Sequence, residues 1–408
     1  MDPATAAPDP AAAATPRAAA RGTVLALVCA SRVLDFALRM GIVPFFPELA
    51  QRFGVSYAGV GGLFSAFFIG YAALQIPFGW AADRWPENRL VSLGLLGLGA
   101  GAAAFLAADT WQAASAARLI MGAATAAMAV PGIRLAATAY PSERRGHAVA
   151  VVEAAIGATN LLALSGFPLL ARWVSVDTLV LVPAAACVPL AAAFWWVRSP
   201  GQVGRRSPAP AAPPAPEAGP ATSLRQVLAL FLLGFLGLMT INGYTGWAPT
   251  YLREGLGYAP PAGAAVMAAA LAIYVPAAYV SGAISDRLGR RIPLINAGSA
   301  ALMAAFLGMA FAGGGPALVY LGALLYGIGA GGSMPALIAF STEALGPRRA
   351  GLSTGLMQVA AQAGAAAAGV VFGAVVDWTG EFSGVWWLGA ALLAVRIVSS
   401  RLAVEGGP

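Results

Sequence analysis

A chain of 408 residues that is 59% hydrophobic and 10% charged, with a net charge of +7, has too little charge to cover a water-soluble fold of its size, since soluble domains are about 25% charged. The composition excludes a soluble enzyme and leaves a polytopic membrane protein, while the long continuous apolar runs exclude a β-barrel, whose strands alternate. The basic excess, which is entirely arginine, is not read as a nucleic-acid surface, and one His with Cys29 and Cys187 inside apolar runs supplies neither a soft-metal site nor a disulfide. No cofactor or metal is expected.

In chain order, residues 1–21 are Ala/Pro-rich, contain Asp2 and Asp9, and lack the apolar core of a signal peptide; they read as a cytoplasmic tail. Twelve helical spans are predicted at about 23–46, 57–79, 90–108, 114–137, 147–171, 176–197, 225–251, 262–284, 292–312, 316–341, 351–374 and 382–400. The longest polar break, 198–224, holds Arg205, Arg206 and the Pro/Ala tract 207–220, the composition of a flexible or polyproline linker. The expected fold class is therefore an all-α membrane protein: an N-terminal six-helix bundle over 22–200, a cytoplasmic linker over 201–223, a C-terminal six-helix bundle over 224–402 and a short tail over 403–408.

Sixteen arginines fall at one set of span ends, three (Arg52, Arg172, Arg253) at the other, and five within spans. The rich side is expected to be cytoplasmic, with both termini inside. The halves also repeat. Asp83-Arg84 after span 2 matches Asp286-Arg287 after span 8 at an offset of 203, and Arg145 after span 4 matches Arg349 after span 10 at 204. Parallel repeats of this kind put the substrate at the interface of the halves, near the bilayer midplane.

These loops carry a family likeness. Gly282-Ala283-Ile284-Ser285-Asp286-Arg287-Leu288-Gly289-Arg290-Arg291 resembles the loop motif of the major facilitator superfamily in full, and Gly79-Trp80-Ala81-Ala82-Asp83-Arg84-Trp85-Pro86-Glu87-Asn88-Arg89 resembles it with Pro86 for Gly and Glu87 for Arg. Arg118-Leu119-Ile120-Met121-Gly122 is similar to the superfamily's Arg-x-x-x-Gly signature. Two stretches, Ser65 to Pro77 and Trp247-Ala248-Pro249-Thr250-Tyr251-Leu252, are similar to organic anion:cation symporters of that superfamily. Those symporters commonly have an Asp-Arg pair in span 1 and a Glu seven residues after the span-4 Arg. Here Leu38 precedes Arg39 and Thr125 takes the Glu position, so a coupling carboxylate has moved or is absent.

A charge inside the bilayer costs at least about 2.5–3.5 kcal/mol, so it faces a partner or a water-filled cavity. Arg32, Asp35 and Arg39 in span 1 share one helix face within about 60°. The face reads either as an anion site, with guanidinium meeting carboxylate and Asp35 organising the arginines, or as a self-neutralised structural cluster. Arg118 is structural or, as the resemblance implies, part of proton coupling. Arg134 near the end of span 4 is a second substrate cation or a snorkelling arginine. Glu153 is the lone carboxylate well inside spans 2–6, and it is costly there unless it takes a proton or a cationic partner.

Span 7 ends in Asn242-Gly243-Tyr244-Thr245-Gly246-Trp247-Ala248-Pro249, where the glycines and Pro249 should loosen the helix at an outer gate. Asn242, Tyr244 and Trp247, with Tyr274 in span 8 and Gln358 and Gln362 four apart in span 11, are candidate substrate contacts. Asp83, Arg84, Arg89, Asp286, Arg287 and Arg291 are candidate gate residues that latch the cytoplasmic end. No Walker A sequence exists, so an ion gradient rather than ATP is the expected energy source.

Together these residues predict a non-enzymatic, monomeric transporter of the inner membrane. It moves a small organic anion by alternating access, coupled to protons. Efflux of a hydrophobic or cationic compound is the competing transport reading, and a non-transporting sensor or scaffold the competing class.

Overall fold

The computed structural model describes residues 18–141, 144–197, 224–346 and 349–404, and no β-strand occurs among them. Residues 1–17 of the expected first tail, the linker over 201–223, Glu143, Pro347, Arg348 and residues 405–408 lie outside the described residues, while 18–21, expected as tail, belong to the first helix.

The first half comprises α1 (Ala18–Met40), the short α2 (Phe46–Phe53), α3 (Tyr57–Ala82), α4 (Glu87–Leu106), α5 (Trp111–Thr138), α6 (Arg145–Leu161), its one-turn continuation α7 (Phe167–Leu170) and α8 (Val176–Trp196). The second comprises α9 (Leu224–Thr250), α10 (Pro260–Leu288), α11 (Ile292–Ala310), α12 (Pro316–Glu343), α13 (Ala350–Thr379) and α14 (Ser383–Ser399). Among the described residues, eleven helical segments are long and apolar enough to cross a membrane. The twelfth span is α1, which is less apolar because it carries Arg32, Asp35 and Arg39.

Helix starts and stops follow local chemistry. Ser56, Thr110 and Ser175 cap α3, α5 and α8 by accepting hydrogen bonds from Gly59, Ala113 and Thr178 backbone N–H groups. Gly289 and Gly380, at φ 60° and 73°, end α10 and α13 in the left-handed conformation that favours glycine. Before Pro168 the helix widens into a π turn over Leu162–Gly166, since proline removes a donor and its ring crowds the preceding turn. The loosening expected at Gly243, Gly246 and Pro249 is displaced. The α-helix runs unbroken to Thr250, and the π turn follows at Tyr251–Gly255, two residues after Pro249.

Small residues set the helix spacing, as expected where lipid supplies no hydrophobic drive between helices. Gly94, Gly97 and Gly101 of α4 rest on Met121, Ala124 and Met128 of α5. The seam between halves depends on the same device. Gly61 of α3 and Gly369 of α13 lie so close that a Cβ on either would overlap the other's backbone, and Gly373 meets the backbone of Tyr57. These contacts gather at the arginine-poor ends of α3 and α13. Toward the arginine-rich ends the two helices part, leaving a cleft of about 510 Å³ between Gln75 and Ile76 on one side and Thr342, Thr354 and Gln358 on the other. The protein is thus sealed at the arginine-poor face and open at the arginine-rich face.

Candidate substrate cavity and gates

The charged face of α1 splits into two units. Asp35 is fully buried, pairs with Arg32 at 3.0 Å and accepts a 2.6 Å hydrogen bond from the Thr125 hydroxyl of α5. Thr125 thus holds the carboxylate of α1 rather than supplying one itself. Thr125→Val should remove a bond to a buried charge, about 1.5–3 kcal/mol. The expected result is a lower unfolding midpoint in detergent, and an unchanged midpoint would show the contact to be idle.

Arg39 is the other unit. Helical spacing alone makes Asp35 its organiser, but the carboxylate is committed to Arg32 and Thr125. The Arg39 guanidinium instead sits among four aromatic rings, 4.5 Å from the centroid of Phe68, 5.0 Å from Phe36, 5.3 Å from Phe67 and 5.7 Å from Tyr71. Its Nε is buried without a hydrogen-bond acceptor, and no carboxylate lies within ion-pair distance among the described residues. Cation–π contacts orient a guanidinium but do not neutralise it.

Arg118 fixes this arrangement. Fully buried, it donates to the carbonyls of Leu38 at 3.0 Å, Arg39 at 3.1 Å and Leu63 at 3.3 Å. Leu38 and Arg39 belong to the last turn of α1, whose carbonyls lack intrahelical partners and favour a cation. Arg118 is therefore a brace that sets the height of Arg39. Arg396, to which no sequence motif assigns a role, is likewise fully buried in the second half and donates to the Leu233 carbonyl of α9 at 3.2 Å and the Ser299 hydroxyl of α11 at 2.8 Å.

Glu153 of α6 is exposed rather than packed, and its electrostatic neighbours are Arg32 and, from the other half, Tyr274 of α10. Arg32, Glu153 and Tyr274 are thus electrostatic neighbours across the two halves, and Asp35 and Arg39 lie on the same helix as Arg32. Gln358 lines the open cleft. Gln362, one turn on, is buried with its Oε1 unpartnered.

Other candidates fall elsewhere. Arg134, expected at the substrate, pairs with Asp83 at 3.0 Å and approaches Glu87 at 3.9 Å, so it belongs to the arginine-rich end. Asn242 donates to its own helix at the Leu238 carbonyl, 3.0 Å. Tyr244 stacks on Tyr326 at 4.3 Å and packs edge-on to Phe306 and Trp386, inside the second half rather than on its cavity face. Trp247 is buried across the seam against Phe46 and Tyr57, at 5.5 and 6.0 Å.

At the arginine-rich end both loop motifs are tied within their own halves. Asp83 holds Arg134, while Arg291 bridges Asp286 at 3.1 Å and Glu343 at 3.0 Å. Arg84 lies 3.7 Å over Trp80, Arg89 lies 5.5 Å over Trp195, and Arg287 is exposed.

The arginine-poor end is tied across the halves, by residues that belong to none of the sequence motifs. The Asp377 carboxylate of α13 accepts hydrogen bonds from the backbone N–H groups of Tyr57 and Ala58, at 2.9 and 2.8 Å, in the first turn of α3. The Tyr57 hydroxyl donates to Glu254, and Arg253 pairs with Glu48. A signal existed for Asp377. An acid in the last turn of its own helix opposes that helix's dipole, which points to service for another helix's N-terminus.

Two inverted-charge ends, a cavity between repeated halves and a seal at one face make up an alternating-access architecture. Comparison with known proteins agrees with it: the profile described as Major Facilitator Superfamily matches residues 28–370 and 264–404. The chain belongs to the major facilitator superfamily. It is a multi-pass membrane transporter of that fold. Over about 30% of each chain it is 37% identical to the 3-(3-hydroxy-phenyl)propionate transporter of Escherichia coli (strain K12), a match that spans less than a third of that relative. Over 93% of each chain it is 23% identical to the probable sulfoacetate transporter of Cupriavidus necator. Among solved structures, a bacterial homologue of the human lysosomal transporter Spinster, inward-facing and unoccupied, shares the fold with a TM-score of 0.75 at 15% identity, covering 96% of this chain and 100% of that one. The nucleoside transporter NupG shares it with a TM-score of 0.75 at 14% identity, covering 93% and 99%.

Proposed function

We propose that this transporter carries a small organic carboxylate coupled to protons, with its arginine-rich face in the cytoplasm. On that assignment the present conformation is open inward and sealed outward. The observation that carries the reading is Arg39, a buried guanidinium with an unpartnered Nε and no acid within ion-pair distance among the described residues. A charge in that position calls for an anion, and the carboxylate of a substrate matches a guanidinium fork in two parallel bonds. The rings of Phe36, Phe67, Phe68 and Tyr71 fit an apolar or aromatic body beside it. The relatives, named as a 3-(3-hydroxy-phenyl)propionate transporter and a probable sulfoacetate transporter, support an organic anion. Cationic cargo is disfavoured by the same charge.

Glu153 is the proton carrier in this reading. It is exposed, meets Arg32 and Tyr274 only at electrostatic range, and so is free to change partner when the halves rock. The protein works as a single chain in the inner membrane, with both termini in the cytoplasm.

The test is counterflow exchange of radiolabelled 3-(3-hydroxyphenyl)propionate and sulfoacetate in proteoliposomes. Arg39→Lys keeps the charge but loses the planar fork and should weaken binding about tenfold, or about 1.4 kcal/mol. Arg39→Ala should abolish exchange. Normal exchange by Arg39→Ala, or transport of cations alone, would sink the carboxylate reading.

A further inference from the structure

The outer end holds a second cavity, of about 420 Å³, that lies across the seam of the two halves. Phe45 and Glu48 reach it from the first half beside α1, Arg172 from the end of α7, and Arg253, Tyr258 and Met267 from the second half. The volume lies within the range of small-molecule sites. Its lining is mostly apolar, and its charged groups are two arginines and one glutamate.

The glutamate is poorly served. Glu48 pairs with Arg253 through Oε1 only, while its Oε2 is buried without a hydrogen-bond donor. Arg253 in turn gives one of its terminal nitrogens to that bond and remains half-exposed. A free carboxylate entering the cavity can offer Arg253 both oxygens, with Arg172 as a second cation and the apolar walls for its body. Glu48 is then released to water, where both of its oxygens are hydrated. The exchange removes an ion pair that ties the two halves together.

Resting on the carboxylate reading above, we propose that this outer vestibule is a separate binding site for organic carboxylates, and that occupancy unlatches the outer gate by taking Arg253 from Glu48. A ligand shifts a conformational equilibrium only by its preference between states. Here the preference arises because the bound carboxylate competes with a bond made in the outward-sealed state alone. External carboxylate therefore speeds the return of the carrier to the outward-open state.

The experiment follows the opening of the outer seam. Gly246 is buried beneath it, and a Cβ there meets only Phe64, at 4.0 Å, so Gly246→Cys is well tolerated sterically. In a Cys29→Ser, Cys187→Ser background this cysteine is labelled by an impermeant maleimide applied from outside. The probe is 3-(3-hydroxyphenyl)propionate or sulfoacetate, whichever the protein exchanges in counterflow.

External probe should accelerate labelling severalfold, and the acceleration should persist in Arg39→Ala, whose central site is disabled. Arg172→Ala should remove the acceleration. Glu48→Gln should label rapidly without probe and respond little to it. Acceleration that disappears in Arg39→Ala but survives Arg172→Ala would overturn the vestibule, because the carboxylate would then act from the central cavity. Absence of acceleration by a carboxylate that the protein does exchange would overturn it too, leaving the carboxylate reading standing. Failure of every carboxylate to exchange would instead remove that reading.

Discussion

Asp377→Ala is expected to move the resting transporter toward the outward-open state. The wild-type carboxylate accepts two backbone N–H bonds at 2.8 and 2.9 Å from the first turn of α3. Those N–H groups have no partner within their own helix, and the positive end of its dipole favours the charge. Loss of a helix-capping side chain costs about 0.5–2 kcal/mol. Because the bond is made only while the outer seam is closed, that cost falls on one side of the conformational equilibrium. A bias of about 1.4 kcal/mol changes the population ratio about tenfold. Outward accessibility of a buried seam residue measures it, and unchanged accessibility would remove Asp377 from the gate. Asp377→Asn, which keeps one acceptor oxygen and loses the charge, should fall between the two.

The same helix carries an acid at its other end. Asp83 caps the C-terminus of α3, where it now holds Arg134.

Asp35→Asn is expected to damage exchange and gradient-driven uptake together. Removing one partner of a buried ion pair costs about 3–5 kcal/mol, because the other charge stays behind. Here the pair is Arg32 and Asp35 at 3.0 Å, with Thr125 as the second support. Glu153→Gln should act differently. It imitates the protonated carboxyl, so counterflow should continue while accumulation driven by a proton gradient stops. If Glu153→Gln still accumulates substrate and Asp35→Asn keeps counterflow alone, the two roles are exchanged.

Much of the architecture is legible in the amino-acid sequence. Twelve apolar runs, the repeated Asp-Arg loops and the arginine bias are enough, because a bilayer permits few backbone solutions. The charged face of α1 is legible from helical periodicity, which places Arg32, Asp35 and Arg39 on one side. Periodicity does not say which arginine takes the carboxylate. That choice depends on Thr125 of α5 and on the rings of Phe67, Phe68 and Tyr71 of α3, contacts between helices that no local pattern encodes. The polar handles of Tyr244 and Trp247 suggest substrate contacts, yet both side chains are packed among other aromatics. Arg134 reads as a substrate cation because distance along a helix does not reveal which neighbouring loop supplies its acid. The contacts across the arginine-poor end are illegible for a related reason: Glu48, Arg253, Glu254 and Asp377 are scattered through the chain and find their partners only where the two halves meet.

The most direct measurement is the uptake of radiolabelled 3-(3-hydroxyphenyl)propionate and sulfoacetate into proteoliposomes under an imposed pH gradient, acid outside. Accumulation of at least one of them above equilibrium is predicted, abolished by collapsing the gradient, by Arg39→Ala and by Glu153→Gln, with Glu153→Gln alone retaining counterflow. Accumulation that ignores the pH gradient, or that survives Arg39→Ala, would contradict a proton-coupled carboxylate carrier built on Arg39 and Glu153.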